Sequence, residues 1–172
     1  MQENTFADLP PWESLVPIDL YMDQVVALVN KYLRTNEVTP MMINNYVKLK
    51  VMPAPIKKKY SRVSLAYIIM ICTLKASIPM TAIQYIIPID LDEQAVKDLY
   101  GRFLGMYEST AADIAGKAPG AAPEEPDGDD ETRMRIMHCA LTSGIYKSLA
   151  GQLLEKSSFY EKPKRQHTSR NV

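Results

Sequence analysis

Ten residues in the middle of the chain, LAYIIMICTL from Leu65 to Leu74, constrain the fold most. Wound as a helix they are apolar nearly all round, and such a helix is buried from several sides. They are also about half the roughly 20 residues that a membrane span needs. The remainder of the chain must therefore wrap them. With 172 residues, 47% of them hydrophobic, there is enough material to do so. Domains of this length bury roughly 70% of the surface their unfolded chains expose, so neither a disulfide nor a metal is needed as a staple. The two cysteines, Cys72 and Cys139, make no disulfide scaffold and no zinc-ligand spacing.

Proline punctuates the segments around this core. Residues 1–16, with Trp12 among Pro10, Pro11 and Pro17, cannot form an α-helix and are expected to be an extended N-terminal arm. Asp19 offers an N-cap, and Met22, Val25, Val26, Val29, Tyr32 and Leu33 recur on one helical face, giving a first helix to about Arg34. A short turn at Thr35–Glu37 leads to Thr39 and Pro40, an N-cap followed by proline at the first helical position. At 100° per residue, Met42, Ile43, Tyr46, Val47 and Leu49 fall on the inner side of this second helix, and Asn44, Asn45 and Lys48 on the outer side with Met41. Pro53 and Pro55 end it. PAPIKKKYS then reads as a short extended hairpin, and Ser61 is placed to cap the apolar third helix. Pro79 opens a short helix that Pro88 stops.

Residues 91–115 form a further helical run weakened at Gly101 and Gly105. Residues 116–130 are rich in Gly, Ala, Pro and acids and are expected to be a flexible linker. A last helix is expected over Glu131–Ser158, with Met134, Met137, Leu141, Ile145, Leu149 and Leu153 as its apolar stripe, and residues 162–172 as a basic disordered tail.

The formal net charge is zero, but it is a cancellation between blocks. Residues 1–37 carry a charge of −4, residues 38–89 +7, residues 90–131 −9 and residues 132–172 +6. The second block holds Lys48, Lys50, Lys57, Lys58, Lys59, Arg62 and Lys75 and no carboxylate, in a chain with 20 acids. Such asymmetry points to a local polyanion site.

Helix, turn, second helix with a polar outer stripe, lysine-rich hairpin and buried third helix are the parts of a winged helix-turn-helix. The expected fold is mainly α, with that unit over residues 17–88 and a C-terminal helical region over 89–161. Asn44 and Asn45 can pair bidentately with adenine in a major groove, and Lys48 can reach guanine or a phosphate. Thr39, Lys57, Lys58, Lys59, Tyr60 and Arg62 would hold backbone phosphates, which supply affinity without reading sequence. The plainer reading makes the stripe a solvated helix face and the lysines a solubilising turn.

The run TPMMINNYVKLKVMPAPIKKKYSRVSLAYIIMICTLKASIPMTAI, with PWESLVPIDLYMDQVVALVN before it, resembles the bacterial domain of unknown function family 1836 over roughly residues 9–88. It also resembles, more weakly, the N-terminal DNA-binding domain of MerR-type regulators. On that pattern Tyr46 matches the second aromatic of the recognition helix, Val51 and Met52 the apolar pair after it, and Lys58–Ser61 the end of the wing. Asn44 and Asn45 replace the arginine and first aromatic of the motif, and Lys50 replaces its left-handed glycine, so no base preference carries over.

Other chemistry is thin. His138 and Cys139 point about 100° apart and make no metal site, and no phosphate-binding glycine loop or Ser-His-Asp arrangement is present. The chain does not read as an enzyme, and neither catalytic residues nor a cofactor nor a metal is assigned. Its start has no basic segment leading into an apolar run, so a cytoplasmic protein is expected, with double-stranded DNA as partner, no membrane, and a homodimer formed through the last helix. The alternative is a protein-interaction module that keeps the helix-turn-helix shape without binding DNA.

Overall fold

The computed structural model describes residues 8–33 and 37–117, together with Ser143, Tyr146, Lys147, Ala150, Leu153, Leu154, Lys156 and Ser157. Within them the chain is mainly helical: α1 (Met22–Tyr32), α2 (Pro40–Lys48), α3 (Arg62–Leu74), α4 (Met80–Ile86) and α5 (Glu93–Lys117). The only extended pairings among the described residues are isolated antiparallel bridges. No helix among them is long and apolar enough to cross a membrane.

Every residue of α3 from Ser64 to Cys72 is buried, as its uniform apolarity requires. Ser61 holds the N-cap position and its carbonyl accepts from Leu65 N–H at 3.2 Å, but its hydroxyl makes no cap bond. Around this axis α1 contributes Val25 and Val29, α2 contributes Ile43 and Tyr46, and α5 contributes Val96, Tyr100 and Phe103. α1 starts later than an Asp19 cap would set it. Leu20 is held instead in an antiparallel bridge with Tyr60, by N–H···O bonds of 2.9 and 2.8 Å, and Gln24 Oε1 accepts from Tyr21 N–H at 2.9 Å.

The N-terminal segment departs from the expected extended arm. Proline excludes an α-helix there but not one 3₁₀ turn, which forms at Trp12–Ser14 after Pro11. Leu9, Trp12 and Leu15 are buried. Three contacts pin the segment down. Tyr100 O–H donates to the Pro10 carbonyl at 2.7 Å, Arg62 Nε donates to the Leu15 carbonyl at 3.1 Å, and the Trp12 and Tyr100 rings lie 6.3 Å apart.

α5 is capped by Asp92, whose Oδ1 accepts from Ala95 N–H at 2.8 Å. A division between residues 88 and 89 would cut through packed interior. Tyr67 of α3 donates to the Pro88 carbonyl at 2.6 Å, and α5 packs directly on α3 and the Trp12 turn. The helix also runs through Gly116 and Lys117, the first two residues of the expected linker. The rest of that linker, most of the expected last helix and the basic tail lie outside the described residues. Where that helix is described, Ala150, Leu154 and Ser157 are half-buried, and Ser157 Oγ donates to the Tyr85 hydroxyl of α4 at 2.9 Å.

Candidate nucleic-acid interface

α2 is fixed at both ends by its own sequence. Thr39 Oγ1 accepts from Met42 N–H at 3.3 Å, and Pro40 occupies the first helical position. At the other end Val51 N–H reaches the Tyr46 carbonyl and Lys50 N–H the Val47 carbonyl, each at 3.0 Å. This is the paired bonding of a Schellman motif, with buried Tyr46 and Val51 as its apolar contact. The left-handed residue in it is Lys50, at φ 53°. Lysine thus adopts the conformation that the MerR-type pattern assigns to glycine. Leu49, expected on the inner side, is exposed at the C-cap position, just past the last residue of the helix.

Between these caps the two faces separate as the 100° spacing predicts. Ile43 and Tyr46 are buried, while Asn44, Asn45 and Lys48 are exposed beside Met41, which is 80% exposed. The Tyr46 hydroxyl receives Lys75 Nζ at 3.2 Å and lies 3.6 Å from Cys72 Sγ. Burial pushes both the Tyr46 hydroxyl and the Cys72 thiol above their ordinary values, so both stay protonated at neutral pH. Lys75 is accordingly turned onto the core side of α2 and is no part of the outer stripe.

A side chain that the sequence does not advertise ties α1 to Val38, the residue before the α2 N-cap. Asn30 Nδ2 donates to the Val38 carbonyl at 3.0 Å while its Oδ1 accepts from Val38 N–H at 2.6 Å. The amide copies a backbone pairing across the α1–α2 connection, whose residues 34–36 lie outside the described set. An asparagine within an apolar helical pattern reads as merely polar; its bidentate role needs the fold.

The PAPIKKKYS segment forms the expected hairpin. Ile56 and Lys59 exchange N–H···O bonds of 3.1 and 2.9 Å, and the two residues between them, Lys57 and Lys58, have φ 50° and 64°. Two consecutive positive values are the signature of a type I′ turn, where Asn-Gly is the usual pair. Lys57 and Lys58 are exposed, and Lys59 Nζ sits 5.3 Å from the Tyr21 ring centroid.

Two residues expected to hold phosphates do not face solvent in a way that permits it. Tyr60 is buried, bridged to Leu20 and pushed up in pKa by burial. Arg62 spends its guanidinium on the Leu15 carbonyl and on the Trp12 ring, 5.6 Å from its centroid. It staples the N-terminal segment to α3. Thr39 is exposed and uses its oxygen as the helix cap, with a hydroxyl proton left to donate. The outward set is therefore Thr39, Asn44, Asn45, Lys48, Lys50, Lys57, Lys58 and Lys59.

Among the described residues no three His, Cys, Asp or Glu side chains gather to hold a metal ion. Two open grooves flank α5, one of about 530 Å³ beside Trp12, Lys97 and Arg102 and one of about 750 Å³ beside Ile86, Leu91 and Met106. A family model described as a domain of unknown function (DUF1836) matches residues 10–107. The chain belongs to the DUF1836 family. The DUF1836 match begins two residues before Trp12 and ends at Tyr107, so it takes in nearly all of the core just described. It includes the N-terminal turn and the first half of α5. No curated protein and no solved structure matches the chain.

Proposed function

We propose that this DUF1836 protein is a cytoplasmic, bacterial-type DNA-binding transcriptional regulator. In this reading α1 and α2 act as a helix-turn-helix and the 56–59 hairpin as a MerR-like wing. Asn44, Asn45 and Lys48 face base edges in the major groove, and Thr39, Lys50, Lys57, Lys58 and Lys59 hold phosphates. The observation that carries the reading is the identity of the three non-glycine left-handed residues, Lys50, Lys57 and Lys58. Left-handed backbone costs an L residue roughly 1–2 kcal/mol relative to glycine. Glycine or asparagine would be cheaper at each position and would carry no charge. A chain that accepts that cost three times in a segment without carboxylates keeps charge there for a partner of opposite sign.

The functional unit in this reading is a homodimer, whose two-fold axis sets two recognition helices one helical turn apart on duplex DNA. Leu153, at the end of the apolar stripe of the last helix, is 62% exposed and is the described residue available for such a contact.

The test is selection of bound duplexes from a random library at about 0.15 M salt, where the screening length is near 8 Å. A pseudo-palindromic consensus is expected; a recovered pool no different from the input contradicts the reading. Exposed Met41 and Leu49 flank the polar stripe and favour a second reading, a protein-interaction surface. In that case the stripe captures a folded acidic protein and no duplex is retained.

A further inference from the structure

The hairpin carries more than charge. Its antiparallel register sets Tyr21 opposite Lys59 on one side, because Leu20 pairs with Tyr60, and sets Ile56 opposite Lys59 on the other. Directly opposed residues project to the same face of a ribbon. Tyr21, Lys59 and Ile56 therefore form one row, while Leu20 and Tyr60 point the other way into the core. The row is open to solvent: Ile56 is 78% exposed and Tyr21 56% exposed, with the Lys59 ammonium 5.3 Å from the Tyr21 ring centroid. Lys57 and Lys58 bracket it at the turn. Apolar side chains held in a row beside three lysines suit a narrow cleft with anionic rims, where the lysines meet the rims and the row lies between them.

We infer that this row enters the DNA minor groove, with Ile56 as the side chain that selects A·T over G·C pairs there; the inference rests on the DNA-binding reading above. The minor groove is about 6 Å wide, walled by phosphates that lysines can hold, and floored by base edges that differ mainly in one group, the guanine N2 amino donor. Isoleucine accepts no hydrogen bond. Seated on that floor it desolvates the guanine amino N–H that faces the groove and offers it no acceptor, whereas an A·T pair presents no such donor. Lys57 and Lys58 fix the depth of entry by each gripping a phosphate, one on either side, and the Tyr21 ring braces Lys59 from the outer edge. Specificity at these positions comes from exclusion, separate from whatever Asn44 and Asn45 read in the major groove.

The experiment uses the full chain and the duplex recovered by selection, with flanking A·T pairs outside the α2-read core replaced one at a time by G·C or by inosine·C. Inosine keeps the major-groove acceptors of guanine and lacks its N2 amino group. At one or two flanking pairs G·C is expected to weaken binding about tenfold, as a single mismatched pair does, and inosine·C to restore it. Ile56→Thr keeps the β-branched shape and adds an oxygen that accepts from the amino group, so it should erase the difference while leaving the salt dependence intact. Equal binding to A·T, inosine·C and G·C flanks, or discrimination that survives in Ile56→Thr, overturns the inference and leaves the DNA-binding reading standing. Retention on anionic phospholipid vesicles through Ile56, with no duplex bound at all, overturns both.

Discussion

Lys50, Lys57 and Lys58 hold backbone in which the Cβ of an L residue crowds the following carbonyl. Lys50→Gly is therefore expected to raise folding stability by about 1 kcal/mol, read as a shift in urea midpoint, while weakening duplex binding because one charge is gone. A variant that is stabilised with unchanged affinity would free Lys50 from any role in binding. Tyr67 sets a pH dependence. Its hydroxyl donates to the Pro88 carbonyl at 2.6 Å, and burial, followed by the charge of Asp90, raises its pKa from 10.0 to about 12. The folded state then holds a proton that the unfolded state releases, so the contribution is complete below pH 10 and is lost as pH climbs towards 12. Tyr67→Phe should be less stable than wild type at pH 8 and show a shallower loss between pH 10 and 11.5, which urea titrations across roughly that range measure. An unchanged alkaline slope would mean that Tyr67 does not set it. Asn30 belongs to the same scale and shows where sequence reasoning stops. Its amide is visible as a residue, but its pair of hydrogen bonds with Val38 depends on the fold bringing Val38 beside α1, which no residue pattern specifies.

At the level of elements, the sequence is most informative where one residue type admits few conformations. Thr39–Pro40 marks the start of α2 to the residue, and the prolines at Pro79 and Pro88 bracket α4. The Asn44, Asn45 and Lys48 stripe follows from helical spacing alone. The N-terminal segment is illegible for a related reason. Three prolines rule out an α-helix, yet nothing local reports that Trp12, the chain's one tryptophan, meets Tyr100 nearly ninety residues away. Assigning Arg62 to a phosphate fails on the same ground, since composition counts a charge without its direction and the guanidinium faces Leu15 and Trp12. If residues 8–16 are core, Trp12→Ala should cost about 3–5 kcal/mol, as large-to-small changes in packed interiors do. A cost under about 1 kcal/mol in a denaturant titration would return the segment to the status of a loose arm.

On the scale of the whole molecule, α3 and α5 share one interior with the N-terminal turn, and the DUF1836 match covers that unit in a single span. The net charge of zero conceals what this unit presents, a positive surface block whose lysines stand outward at α2 and the hairpin while Arg62 and Lys75 turn inward. The central claim, that the outward lysines exist to hold DNA phosphates, is tested most directly by the salt dependence of binding in Lys57→Asn/Lys58→Gly. That pair supplies the residues a type I′ turn favours, so the hairpin is kept or strengthened while two charges leave. Wild type and variant are titrated against the selected duplex at several salt concentrations, and the slopes of log affinity against log salt are compared. The predicted result is a variant at least as stable as wild type whose slope is flatter by about 0.9 for each phosphate no longer neutralised, roughly 1.8 in all. An unchanged slope in the folded variant would contradict it.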